Sequence, residues 1–378
     1  MATARSRETA AYYPQINTLR FLAVALVFAW HWARPIMSRA GLDGGYGVWL
    51  FFAISGYLIT DILLRNKDSI DSGAITRWQA FKIFYIRRSI RIFPIYYLAL
   101  AISVAFGVLT LGQSLWYFAY LSNIHFIQLG DFGPMGHLWS LSVEEQFYLF
   151  WPLLLFVVPM KRLPFLLYAA ILLAVSYRAI ACTMHWGIAI HLMPVSCFDT
   201  LGAGALLAYW RRSPSAAHRL RVLQIAGPLA LLALAAIGFA PSWPRNVFAP
   251  LLVGMGGAWL IDRCVGGVGG VMGRVLSFRP FLYLGQISYG LYLYHGWAPA
   301  FVPDRFGEDL GAGYWLGLVV TATTRAALIV VIASISWFLI EQPMNRLKRY
   351  WTIGSTKAPA AAASEPPAGA AAPIQGQS

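Results

Sequence analysis

Charge is scarce in this chain. Only 12% of its 378 residues are Asp, Glu, Lys or Arg, and 15 are acidic. With 58% hydrophobic residues and a mean hydropathy of +0.60, that scarcity excludes an ordinary soluble domain and indicates an all-α polytopic membrane protein. Cysteine is scarcer still. Cys182, Cys197 and Cys264 lie in or beside apolar runs without metal-ligand spacing, so no metal site is expected and the thiols read as buried and unreactive. No small-residue cleavage site follows the first apolar run. Arg34-Pro35 stands where one is needed, which makes that run a retained signal anchor. No soluble segment gathers the basic residues, so the formal charge of +14 does not indicate nucleic acid.

Apolar runs are what the chain has instead. About ten transmembrane helices are expected, at 16–35, 46–64, 93–112, 141–159, 163–181, 190–210, 222–240, 245–262, 281–300 and 314–340. With the N-terminus in the cytoplasm, alternation puts nearly all Lys and Arg on inner segments. Only Arg34, Arg39, Arg245 and Arg305 then lie outside, and Arg178 and Arg325 lie within spans. That asymmetry orients the chain with both termini cytoplasmic. An eleventh span at 113–130 would turn the later basic clusters outward and is rejected. Residues 1–15 form a cytoplasmic segment, 16–350 the membrane domain, and 351–378 an Ala-, Pro-, Gly- and Ser-rich tail read as disordered.

The first run, Ile16 to Trp32, carries Arg20 and His31. Eleven residues at about 100° each bring both side chains to one helix face, about 16 Å apart along the axis. For Arg20 alone, snorkelling to the interface explains as much as function does. For the aligned pair, function is favoured, because ionisable groups in a span are costly and usually face a polar interior. The second run carries Ser55, Gly56 and Thr60, which close helix packing would explain.

Residues 74–92 interleave aromatics with cations and are expected to form one interfacial amphipathic helix. Arg88 and Arg91 share a face of it. Spacing alone leans slightly to anionic lipid over a phosphate clamp. The stretch 113–138 is a long aromatic outer loop with Asp131 as its only acid. After it, Ser142 is expected to cap the fourth span with Glu145. That leaves Glu144 unexplained on a face with Tyr148. Asp199 and Arg325 are intramembrane charges that could pair with each other. The GGVGG run at 266–270 reads as a flexible cytoplasmic loop. The ninth span brings Tyr292 and His295 near its outer end.

Taken together, the motifs resemble the acyltransferase-3 family of integral-membrane O-acyltransferases over about 15–345. An Arg, ten residues and a His stand as Arg20 and His31. The pattern FF-x-x-SG-x-x-x-T stands as Phe51, Phe52, Ser55, Gly56 and Thr60. Arg-x-x-Arg stands as Arg88 and Arg91, and WSL-x-x-E-x-x-x-Y as Trp139 to Glu144 and Tyr148; ISYGLYLYH and EQP follow. The resemblance implies transfer of an acyl group, commonly acetyl from acetyl-CoA, to a hydroxyl, often on a surface or lipid-linked sugar. It implies a ten-helix core in a bacterial inner membrane, with acetyl-CoA as a substrate and no permanently bound cofactor. Some relatives append an extracytoplasmic hydrolase-like domain. This chain is expected to lack one, which leaves open a separate periplasmic acyl-handling partner.

On that basis Arg20, Arg88 and Arg91 are expected to hold CoA phosphates at the inner side. His31 would act as general base, or as a covalent acyl carrier, with Glu144 orienting it or stabilising its cation. Ser55, Gly56, Thr60, Trp139, Tyr148 and His295 would support the site. The acceptor stays open among surface polysaccharides, peptidoglycan, other oligosaccharides and macrolides. A secondary transporter would use the same intramembrane charges, but no inverted repeat relates the two halves. A non-enzymatic scaffold would leave the shared Arg20–His31 face without a reason.

Overall fold

The computed structural model describes residues 13–133 and 135–351. Residues 1–12 and the tail after Trp351 lie outside the described residues. All regular structure among the described residues is helical. The long elements are α1 (Pro14–Trp32), α2 (Gly45–Asp71), α3 (Arg77–Ala105), α4 (Trp139–Val157), α5 (Leu163–Thr183), α6 (Phe198–Arg212), α7 (Ala217–Ile237) and α8 (Ser242–Gly266). They are followed by two shorter helices, α9 (Arg279–Gln286) and α10 (Ser288–Tyr294), and by α11 (Tyr314–Ser336), which runs on through a π turn, Trp337–Glu341.

Among the described residues, six stretches are long and apolar enough to cross a membrane: α2, α3, α5, α7, α8 and α11 with its continuation to Tyr350. The other four expected spans fall short for visible reasons. The helices α1 and α4 have 19 residues each but carry Arg20 and the Glu144-Glu145 pair. Helix α6 has only 15 residues. The run 281–300 is divided among α9, α10, a 3₁₀ turn at His295–Trp297 and a short helix, Ala298–Phe301.

The expected amphipathic helix and third span are one element. Thr76 caps α3 by accepting from the Gln79 backbone N–H at 3.2 Å, while Gln79 accepts from the Thr76 N–H at 2.8 Å. The helix then continues through Pro94. The loop 113–138 folds as two eight-residue helices, Leu111–Phe118 and Ser122–Leu129, each too short to span.

Helix α2 packs against α1, α4, α6 and α8. Its contact with α6 is reciprocal: a Cβ at Gly56 would meet the Leu201 carbonyl, and one at Gly204 would meet the Ala53 carbonyl. Small residues let the two backbones meet, which is where helices associate well without a hydrophobic drive from water. The packing reading of Gly56 therefore holds. It does not hold for Ser55, which turns to a different task.

Intramembrane charges pair locally, and not as Asp199 with Arg325. Arg178 on α5 bonds Asp199 on α6 at 2.5 Å and gives two further hydrogen bonds to the Val247 carbonyl of α8, at 2.9 and 3.0 Å. It also donates to the Ser196 carbonyl. Both side chains of this pair are fully buried. Arg325 instead reaches Asp304 at 2.7 Å and the Val302 carbonyl. Each arginine takes the acid its own neighbouring loop or helix brings within reach.

The glycine run at 266–270 is tied down. Gln15 of α1 donates to the Val268 carbonyl at 3.0 Å and accepts from the Val268 N–H at 2.9 Å. Gly267 and Gly270 at φ +81° and +63° let the chain turn beneath α1. Removing one partner of a buried ion pair strands a charge. Asp199→Ala should therefore destabilise the protein by about 3–5 kcal/mol, read as a lowered unfolding temperature in detergent, with Arg178→Ala comparable.

Candidate functional site

A cavity of about 780 Å³ opens among α1, α2, α3, α4, α10 and the π turn. Arg20, Arg88 and Arg91 all line it, together with Ser55, Glu144, Tyr148, Glu341 and Arg346. Four guanidiniums thus face two carboxylates, which leaves the wall cationic and suited to an anion. Arg20 lies within electrostatic reach of Arg88, Arg91 and Glu144. The lipid reading of the Arg88–Arg91 pair does not fit this placement. The residues of α3 turned away from the cavity behave differently: Arg87 bonds the Lys348 and Trp351 carbonyls at 3.1 and 3.0 Å, and Lys82 sits over the Trp351 ring.

Arg88 stacks on Tyr148, with its guanidinium carbon 3.8 Å from the ring centroid. The Arg88 Nε is buried without a partner. The Tyr148 hydroxyl donates to Ser55 Oγ at 3.1 Å, and Ser55 donates to Glu144. So two helices, α2 and α4, hold one hydrogen-bonded row, Tyr148–Ser55–Glu144, across the cavity wall. Glu341 Oε1, Ser288 Oγ and the Tyr289 hydroxyl are likewise buried there without partners.

Two expectations about α4 change. The helix starts at Trp139, fed by a 3₁₀ turn at Gly136–Leu138, so Ser142 is already inside its first turn. Ser142 bonds Ser122 at 2.8 Å and forms no capping box with Glu145. Nor does Glu144 orient His31. Glu144 is taken by Ser55, and the His31 Nδ1 bonds the Val27 carbonyl of its own helix at 2.8 Å.

His31 sits exposed at the end of α1, outside the cavity lining, and belongs to a cluster of three imidazoles. Its ring centroid is 5.0 Å from that of His295, and His295 is 4.3 Å from His137. The pattern reading did not single out His137, although it stands two residues before Trp139. Its contacts run to residue 293 and beyond, which no local motif reports. Each ring spends one nitrogen on a backbone carbonyl: His31 on Val27, His295 Nδ1 on Tyr292 at 2.6 Å, and His137 Nε2 on Leu293 at 3.2 Å. A carbonyl only accepts, so those nitrogens carry the protons and the others are bases. Burial, with a smaller push from His31, drives His137 down to about 3.

Tyr292 joins the two regions. It lines the cavity, and its hydroxyl bonds Ser140 Oγ at 2.6 Å and the His137 carbonyl at 2.9 Å, while its own carbonyl accepts from His295. The remaining motif residues are structural. Trp139 meets the Phe52 ring edge-on at 6.1 Å, and Thr60 accepts from the Trp151 indole at 2.8 Å. Because Thr60 makes no contact with the cationic wall, Thr60→Val should cost about 1 kcal/mol of stability. Thermal unfolding of the purified protein checks this. A shift many times larger would place Thr60 in a wider buried network.

A family model described as an acyltransferase domain matches residues 13–341. Three curated relatives align with most of the chain. The peptidoglycan O-acetyltransferase OatA of Listeria monocytogenes is 30% identical over 377 residues, covering 90% of this chain and 57% of the relative. The putative peptidoglycan O-acetyltransferase YrhL of Bacillus subtilis is 28% identical, covering 88% and 55%. A putative O-acetyltransferase of Staphylococcus aureus is 25% identical, covering 89% and 58%. The chain thus spans a little over half the length of these relatives. No solved structure matches it. With six membrane-length helices among its described residues and a family match from residue 13 to residue 341, the chain belongs to the acyltransferase-3 family of membrane acyltransferases.

Proposed function

We propose that this protein is an O-acetyltransferase of a bacterial inner membrane, moving an acetyl group from cytoplasmic acetyl-CoA to a hydroxyl of an extracytoplasmic glycan. Both chain termini lie in the cytoplasm in this reading. The observation that carries it is the convergence of Arg20, Arg88 and Arg91 on one cavity that is linked through Tyr292 to His31. Paired guanidiniums suit the phosphates of CoA. The Pro14 end of α1, next to the arginines, is the cytoplasmic end by charge asymmetry. Peptidoglycan, the acceptor in the names of two relatives, is the first glycan to test.

The chemistry follows from the tautomers. With Nδ1 bonded to Val27, His31 offers Nε2 as the base. It takes the proton of the acceptor hydroxyl as that oxygen bonds the acetyl carbonyl carbon. The carbon–sulfur bond of the thioester breaks, and the CoA thiolate recovers the proton from His31. Glu144, held by Ser55, balances the arginines at the donor end and does not serve the base. Where a partner outside the membrane completes delivery, its hydroxyl takes the place of the sugar in the same step.

Sealed, oriented proteoliposomes test the sidedness: acetyl-CoA on the cytoplasmic face should acetylate acceptor confined to the other face. Acetylation only with both substrates on the cytoplasmic face overturns the transmembrane route. His31→Ala should slow transfer by about 10²- to 10⁴-fold, the range for losing a general base. Arg88→Ala and Arg91→Ala should each weaken CoA binding about 10- to 100-fold, as expected for lost charged hydrogen bonds. Unchanged CoA affinity in both variants removes the donor site from this cavity. In cells, mass spectrometry of surface glycans should show acetyl groups lost with the gene.

A further inference from the structure

We propose that His295 is the residue that receives and holds the proton-bearing form of His31; this rests on His31 being the base. A base that accepts a proton becomes a donor at that nitrogen. With its Nδ1–H committed to Val27, a protonated His31 presents a new Nε2–H that needs an acceptor. Among the described residues, no Asp or Glu bonds any of the three imidazoles. Glu144, the obvious carboxylate, is held by Ser55 in the cavity wall.

His295 has what is missing. Its ring stands edge-on to His31, centroids 5.0 Å apart with planes at 67°. Its Nδ1 donates to the Tyr292 carbonyl at 2.6 Å, which makes its Nε2 an acceptor. That Nε2 is buried and has no partner. A buried acceptor without a donor is rare in a folded protein, and such an atom beside a catalytic base has an evident donor in the protonated base. A phenyl ring would fill the same space among Phe28, Trp32 and Tyr292 without stranding a nitrogen. His137 backs the arrangement. It packs at 4.3 Å on His295, is fixed by its bond to Leu293, and occupies the space a Cβ at Gly296 would take.

His295 is thus a positioning residue that holds the imidazolium in the interval between its taking the hydroxyl proton and its passing that proton to the thiolate. Two amides separate its two nitrogens. In His295→Asn the side-chain N–H still reaches the Tyr292 carbonyl, but the acceptor toward His31 is gone. In His295→Gln an oxygen stands where Nε2 was. The Asn variant should lose kcat about 10- to 100-fold, the factor for one hydrogen bond to a charged group, with KM for acetyl-CoA and acceptor unchanged. The Gln variant should recover most of it. In a His31→Ala background, His295→Asn should add little, because the two act as one unit.

A folded Asn variant as active as the parent overturns the proposal. So does a Gln variant as weak as Asn when both keep the parent's unfolding temperature. A loss confined to the acceptor KM would mean that His295 binds the hydroxyl itself, and also overturns it. If His31→Ala retains turnover, the base reading has failed instead, a result visible before any His295 variant is made.

Discussion

Cations brought together away from bulk water set the terms for this structure. Arg20, Arg88 and Arg91 come from two helices far apart in sequence order and meet in one cavity wall. Like charges in a low-dielectric site repel strongly, so they need carboxylates, aromatic faces or an anionic ligand beside them. The protein supplies the first two in part: Glu144 and Glu341 line the same cavity, and Tyr148 lies under Arg88. The balance stays positive. The proposed polyanionic donor would complete it, which ties the proposed chemistry to the charge arrangement itself.

Holding those charges in register requires helices that approach closely and do not slide. The α2–α6 contact provides this through Gly56 and Gly204, each set against the other helix's carbonyl. The Arg178 network provides it by fastening α5, α6 and α8 at one buried point. Such a network is weak evidence for stability, since desolvating both ions is costly. It is better understood as fixing which helices are neighbours. The cationic wall on α1–α4 then leans on a scaffold whose own charges are satisfied.

The site has two chemically distinct ends. Near the Pro14 end of α1 the cavity is cationic; near the Trp32 end lie three imidazoles whose proton positions are dictated by backbone carbonyls. Tyr292 contributes to both, so movement of a ligand past it would be felt at His137 and His295 together. A transferase that keeps donor and acceptor on opposite sides of a bilayer needs such a division, because neither polar substrate then has to cross the full apolar thickness.

Much of this was legible in the residues before any fold. Composition and run length alone made the chain helical and membrane-bound, because backbone polar groups in lipid have no partners but their own helix. The Arg20–His31 spacing, the Arg88–Arg91 pair and the motif around Glu144 pointed to helices that line one cavity, since the helical period turns spacing into a shared face. What the sequence could not decide were contacts between distant segments. Ser142 looked like a cap until the helix was found to begin at Trp139. Asp199 and Arg325 looked like partners until Arg178 and Asp304 proved nearer. The motif spacing makes Glu144 a candidate orienter of His31, and no local motif marks His137. Each of these depends on which atoms of separate helices come within about 3 Å, a distance that packing alone determines. The sequence by itself determined the membrane class and the residues carrying charge; tertiary packing decided which of those charges meet.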